Sequence, residues 1–291
     1  MTRLRFTLLM LFTLLATPAS AQDHQAALES LLAADRAFAA AAAANAADPL
    51  AGLAPMLDAD AWMAVGGRPQ QGREAIVAAL RTSPSFREGR MRWAPIRAGV
   101  SADGLQGFTF GYLRLDAGDP ARRERKYLSY WVRRAEGWRV VAYRQGPGAP
   151  GAAGAAMLPA SLPGRIVPGD EAAHRASLAA AEQAFSDRAQ VIGLRAAFRD
   201  YGRDDAMNMG GPGPFAIGAE AISQAVGPAE ATSPVRWSTE RSVVAASGDL
   251  GVSIGTIHVN GAAPEGQPAS FPFFTVWRRD GADAPWRYVA E

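Results

Sequence analysis

Two aspartates stand in matching apolar surroundings and are the first residues to weigh for chemistry. Asp60 is followed at alternate positions by Trp62 and Ala64, and Asp205 by Met207 and Met209. Alternation puts each trio on one face of an extended strand. Apolar neighbours raise a carboxyl pKa towards a value useful for proton transfer. The same positions also suit a plainer role, because Asp bonds local backbone where helix turns into strand. The histidines offer less. His258 alternates with Thr256 on a strand and lacks a visible acid–base partner, while His24 and His174 stand at or before helix starts and read as surface. With 3 His, 0 Cys and no close-spaced pair, neither a structural zinc site nor thiolate chemistry is expected, and no cofactor. The Gly-Pro stretches lack the following Lys-Ser or Lys-Thr of a phosphate loop. Arg122-Arg123-Glu124-Arg125-Lys126 is a basic cluster that reads as a solvated hairpin connection, able at most to meet an anionic ligand or lipid headgroup.

The elements that must position these residues occur twice. Tyr130-Trp131-Val132-Arg133-Arg134, a Gly137-bearing turn and Trp138-Arg139-Val140-Val141-Ala142 form a β-hairpin pattern. Thr275-Val276-Trp277-Arg278-Arg279, a turn with Gly281 and Trp286-Arg287-Tyr288-Val289-Ala290 repeat it, so the chain reads as a tandem duplication. Each half opens on a long amphipathic helix, with Leu28, Leu31, Leu32 and Phe38 on one face in the first and Leu178, Ala181, Phe185 and Ile192 in the second. Asp48 and Asp170 are expected N-caps. A short helix and a short strand entered at Asp60 or Asp205 follow. Helices at Gly72-Arg73-Glu74-Ala75-Ile76 and Gly218-Ala219-Glu220-Ala221-Ile222 come next, and the rest of each half is strands.

Residues 1–21 carry Arg3 and Arg5, an apolar run over 6–15 and Ala19-Ser20-Ala21, the pattern of a cleaved export signal. A periplasmic or secreted protein is the expectation. Hydrophobic residues make up 48% and charged residues 20%, enough for a packed core. The net charge is only +2 and the arginines are scattered, so nucleic acid is not an expected partner. The expected domains are 22–145 and 172–291, joined by a Gly-, Pro- and Ala-rich linker over 146–171 in which Met157, Leu158, Ile166 and Val167 could pin to a domain surface.

A long helix, a short helix, an Asp-Ala strand, a Gly-x-Glu-Ala-Ile helix and a closing Trp-Arg-Val-Val-Ala strand resemble the nuclear-transport-factor-2-like superfamily. The likeness is to its SnoaL-like and ketosteroid-isomerase-like branch and extends over both halves. The resemblance implies an α+β fold with two tandem cone-shaped domains, each a long helix plus short helices packed on a curved antiparallel sheet. It also implies that the two domains pair as an intramolecular pseudo-dimer. It further implies a pocket in each cone, to which Trp62, Trp93, Phe110, Tyr112, Tyr130, Met207, Trp237 and His258 are assigned. By position in that branch, Asp60 or Asp205 would be the base of an isomerase, cyclase or dehydratase. The Tyr and protonated Asp that would hold an oxyanion are visible in neither half. The leading expectation is therefore an exported protein that binds a small apolar or aromatic molecule without catalysis. The enzyme and a protein-interaction module are the rivals.

Overall fold

The computed structural model describes residues 21–291 except 46, 84–85, 87–89, 121–122, 151–153 and 264. The expected export signal, Ala21 apart, lies outside the described residues. In the first half, α1 (Ala21–Ala44), the one-turn α2 (Leu50–Leu53) and a 3-10 turn (Ala54–Met56) lead into β1 (Leu57–Val65) and β2 (Arg68–Gln71). Then come α3 (Arg73–Arg81), β3 (Met91–Val100), β4 (Gln106–Leu115), β5 (Glu124–Arg134) and β6 (Gly137–Pro147). The second half repeats the order with α4 (Glu171–Ile192), α5 (Leu194–Tyr201), β7 (Gly202–Asn208), β8 (Ala216–Ile217) and α6 (Ala219–Ala225). It closes with β9 (Val235–Val244), β10 (Leu250–Val259), β11 (Ser270–Arg278) and β12 (Arg287–Ala290).

Local chemistry accounts for the joints. Gly66 and Gly67 turn β1 into β2 with φ of 59° and 78°, the double positive φ that a two-residue hairpin requires. Asp170 caps α4 by accepting a hydrogen bond from the Ala173 amide at 2.8 Å. Asp48 does not cap α2, whose N-cap is Pro49; its carboxylate instead pairs with Arg81 at 2.9 Å.

Each half builds one six-stranded sheet, ordered β2-β1-β6-β5-β4-β3 and β8-β7-β12-β11-β10-β9. All neighbours are antiparallel except β1 with β6 and β7 with β12. The expected antiparallel sheet is therefore mixed. Strands so far apart in sequence are not joined by a hairpin, and nothing obliges them to run in opposite directions. The helices cover one face of each sheet, giving cores around Leu31, Trp131 and Trp138 in the first half and Leu178, Phe185 and Trp277 in the second. These are two cone-shaped α+β domains in tandem.

The other faces of the two sheets meet. A third core lies between them, with Phe108, Phe110, Leu128 and Tyr130 from one domain against Val252, Ile254, Phe274 and Val276 from the other. The ion pairs around it are reciprocal. Arg97 on β3 reaches Asp205 on β7 at 3.0 Å, and its equivalent Arg241 on β9 reaches Asp60 on β1 at 2.7 Å. Each arginine also donates to the backbone carbonyl of its aspartate. An interface in which each side makes the other's contact is that of a two-fold dimer, here folded into one chain.

The segment between the domains is pinned at both ends. Leu158 and Ser161 donate to the Ile96 and Ala98 carbonyls on the free edge of β3, at 2.7 and 3.0 Å. Val167 then donates to the Ser247 carbonyl of the second domain at 2.8 Å. Leu158 packs on the inter-sheet core and Val167 is buried, whereas Met157 and Ile166 are exposed. Lys126, the only lysine of the chain, is not solvated as expected. It is buried, donates to the carbonyls of Met209, Gly211 and Pro214, and sits 5.3 Å from the Phe215 ring. Burial lowers its pKa to about 8.

The two aspartates differ in how much they should contribute. Asp60 is 57% exposed at its side chain, so Asp60→Asn should cost under about 1 kcal/mol. Burial alone would raise the Asp205 pKa, but hydrogen bonds and charge from Arg203, Ser161 and Arg97 hold it below the ordinary carboxylate value. A lowered folded pKa means a stabilisation fully present above the unfolded carboxyl value and lost as pH falls through the folded one. Asp205→Asn should therefore flatten the acid limb of the pH–stability curve. Urea midpoints of parent and variant that run parallel below about pH 4 would contradict this.

Candidate functional site

The long helix α4 sets Leu178, Glu182, Phe185 and Ala189 in one buried stripe at helical spacing. That stripe lies over the strands, and Glu182 meets donors from three of them. Its Oε1 accepts from the Trp237 indole at 2.6 Å, and its Oε2 from the Trp277 indole at 2.7 Å and from the Ser253 hydroxyl. Burial pushes the Glu182 pKa up to about 7, against the lowering effect of those bonds. The first domain repeats the clasp with Asp35 of α1, which accepts from Trp93 at 2.6 Å and from the Tyr127 hydroxyl at 3.0 Å. There too burial raises the carboxyl pKa. Neither carboxylate was singled out from the sequence. The available signal was an acid four residues after a buried leucine, Leu31 or Leu178, at the same place in both long helices.

The two cones differ in what fills them. In the first, Tyr127 on β5 and Tyr143 on β6 stack with centroids 6.1 Å apart, both buried. A Cβ on Gly111 would collide with the Tyr127 ring, so that glycine lets the tyrosine lie across the sheet. Strand pairing places Phe273 and Glu291 at the equivalent positions of the second domain. A shorter ring and an acid stand where two tyrosines close the first cone. The second cone holds a cavity of about 360 Å³ walled by Phe185, Phe198, Trp237, Ile257, Phe271 and Phe273. Glu182 lies in its wall, and Arg144, Asn208, Thr275 and Glu291 supply the other polar groups. Asn208 Nδ2 donates to Glu291 Oε2 at 3.1 Å, and burial raises the Glu291 pKa to about 7.

Of the residues assigned to a pocket from sequence, Trp237 lines this cavity. Phe110, Tyr130, Met207, Trp62 and Tyr112 face the opposite way, into the core between the sheets. There Trp62 packs edge-on against Phe274, and Tyr112 packs at a tilt against Phe215. Trp93 is bonded to Asp35 in the filled cone. His258 is half-exposed and neighbours the lining residue Ile257, so alternation turns it away from the cavity. Asp60 and Asp205 lie mid-strand, not at strand starts, and hold the inter-domain ion pairs. His174 is buried beside Arg279 instead of exposed. The physical reason is common to most of these. Both faces of each sheet are buried, so alternation of apolar residues does not say which face is the cone.

Among the described residues no cluster of three His, Cys, Asp or Glu could hold a metal ion, and no helix is long and apolar enough to cross a membrane. Fold and site together define a tandem α+β protein whose second cone holds a cavity, with two stacked tyrosines at the equivalent place in the first. No protein-family model matches the chain, and no curated protein sequence does. Solved structures similar to it include a nuclear-transport-factor-2-like protein of unknown function from Pseudomonas putida, 16% identical, covering 46% of this chain and 95% of that one at a TM-score of 0.34. A ketosteroid isomerase-like protein from Erwinia carotovora is 18% identical and covers 40% of this chain and 93% of that one, at a TM-score of 0.32. The assignment of the fold rests on the chain's own strand order and packing.

Proposed function

We propose that the protein captures a small apolar or aromatic molecule in the cone of its second domain and that the first domain is a filled scaffold. The observation that carries this is the contrast at equivalent positions. Tyr127 and Tyr143 fill the first cone, while Phe273 and Glu291 leave about 360 Å³ in the second, within the range of small-molecule sites. Aromatic walls with few polar groups favour a ligand that is itself largely apolar. The amino-terminal export pattern supports a periplasmic or secreted location for this capture.

Binding without proton transfer is the better reading of Glu182. Its two oxygens already accept three hydrogen bonds, and the same clasp recurs at Asp35 where the cone is filled. A group kept in both places serves the docking of helix on sheet. Asp60 and Asp205 face no cone, which removes the geometric support for either as a base.

The test uses 2-naphthamide as a neutral aromatic probe in a calorimetric titration. Val226, at the C-terminal end of α6, lines the cavity, so Val226→Trp should fill it and weaken binding by more than about tenfold, with the folded spectrum retained. Tyr143→Phe in the first cone should leave affinity unchanged. Equal affinity of the parent and Val226→Trp would place the binding elsewhere and refute the reading.

A further inference from the structure

We infer that the second cone recognises a carboxylate: its ligand is a small aromatic or alicyclic molecule carrying one such group, and Arg144 of the first domain is the residue that reads it. The inference rests on the proposed binding role of this cone and specifies its ligand class.

Arg144 belongs to β6, whose alternation is offset by a bulge at its pairing with Tyr130 and Trp131. Past that bulge Tyr143 points into the first cone, while Ala142 and Arg144 turn towards the other sheet. Arg144 thereby lines the cavity of a domain to which it does not belong. The binding site is composite, and the pairing of the two domains completes it.

Other arginines at and beside this interface are engaged. Arg97 and Arg241 hold Asp205 and Asp60, Arg278 holds Asp249, and Arg279 donates to the Gly248 carbonyl. Arg144 alone of this set has no side-chain hydrogen bond and no ion pair among the described residues. Arg144 is half-buried, burial lowers its pKa and the nearby Glu291 opposes that fall, so a cation faces the cavity without a bonded counter-charge. A desolvated charge is costly unless it is paired and hydrogen-bonded.

Glu291 does not meet that need. Its carboxylate is bonded by Asn208, its own pKa is pushed up to about 7 by burial, and no ion pair closes between it and Arg144. The planar guanidinium fork matches a carboxylate with two parallel hydrogen bonds, a match no amide or hydroxyl reproduces. The lining fixes the orientation: the ligand's carboxylate sits at Arg144 while its apolar body lies against Phe198 and Phe273.

The test compares 2-naphthoate with its neutral isostere 2-naphthamide by calorimetric titration of the full chain at neutral pH, in the parent and in Arg144→Gln. The parent should bind 2-naphthoate at least about tenfold more tightly than the amide. Arg144→Gln should erase that preference, so that the two probes bind the variant within about twofold of each other. The comparison in the parent alone already decides the point if the variant does not fold. Equal affinity of the two probes for the parent, or a preference that survives in Arg144→Gln, overturns the carboxylate inference and leaves the cone as a neutral site. Binding of neither probe overturns the cone reading and this inference together.

Discussion

Replacing Asp249 with alanine is expected to lower the unfolding free energy by about 3 to 5 kcal/mol. Asp249 is fully buried and joins three parts of the chain. Its Oδ1 accepts from the Ala102 amide of the first domain at 2.9 Å and from Ser247 at 2.6 Å. Its Oδ2 accepts from the Gly164 amide of the connecting segment at 3.1 Å and from Arg278 at 3.3 Å. Arg278 is itself 0% exposed and reaches across to the Val100 carbonyl at 3.0 Å. Truncation leaves that guanidinium buried without a counter-charge, which is the expensive way to break a buried pair. Chemical denaturation measures it. Asp249→Ala combined with Arg278→Leu should recover part of the loss, because the stranded charge goes with its partner. A single-variant loss below about 1 kcal/mol would mean that water reaches this junction.

Trp138→Ala and Trp286→Ala are expected to cost about 3 to 5 kcal/mol each. The two side chains hold equivalent places where the last strand of each domain begins, 3% and 6% exposed. Trp138 donates to the Ser30 hydroxyl of α1 at 3.1 Å and Trp286 to Ser177 of α4 at 3.0 Å. Each indole therefore bolts a long helix to the closing strand, and Val140 and Tyr288 continue the buried face two residues on. Arg279 also stacks over Trp286 at 4.6 Å. Truncation opens a cavity and frees a serine hydroxyl in both cases. Thermal unfolding of the variants checks the claim, and an unchanged Tm for either would show that the hairpin does not close its domain.

The repeat made the fold legible. Paired hairpins, long amphipathic helices and Gly-x-Glu-Ala-Ile helices occur in the same order in both halves, and the structure places them on two matching sheets. The site was legible only in part. Phe110, Tyr112 and Tyr130 are assigned to a pocket through the resemblance, yet on a sheet buried on both faces a strand position does not say which face it serves or what covers it. Asp60 and Asp205 looked catalytic because apolar residues flank them. Their apolar neighbours pack the inter-domain core, and the carboxylates themselves pair with arginines one repeat away. Glu182 and Asp35 were hidden among alanines and leucines of helices whose apolar stripe drew attention to its carbon atoms. Arg144 could not be placed without the bulge in β6, since a one-residue offset moves a side chain to the other face of the sheet.

The pairing of the domains and the open cone form one design. Reciprocal Arg–Asp pairs, the Asp249 junction and Lys126 fix the first domain against the second, and that contact carries Arg144 into the second cavity. The turn that Lys126 grips supplies Gly210 and Gly211 to the same cavity wall. On the proposed reading, filling one cone and opening the other turns a symmetric pair into a scaffold and a receptor.

The most direct measurement of this account is a crystal structure of the chain with 2-naphthoate. The prediction is a single probe molecule in the second cone, its rings between Phe198 and Phe273 and its carboxylate on the Arg144 guanidinium, with Tyr127 and Tyr143 still stacked in the first cone. Naphthoate bound in the first cone or between the sheets, with the second cone empty, would contradict it.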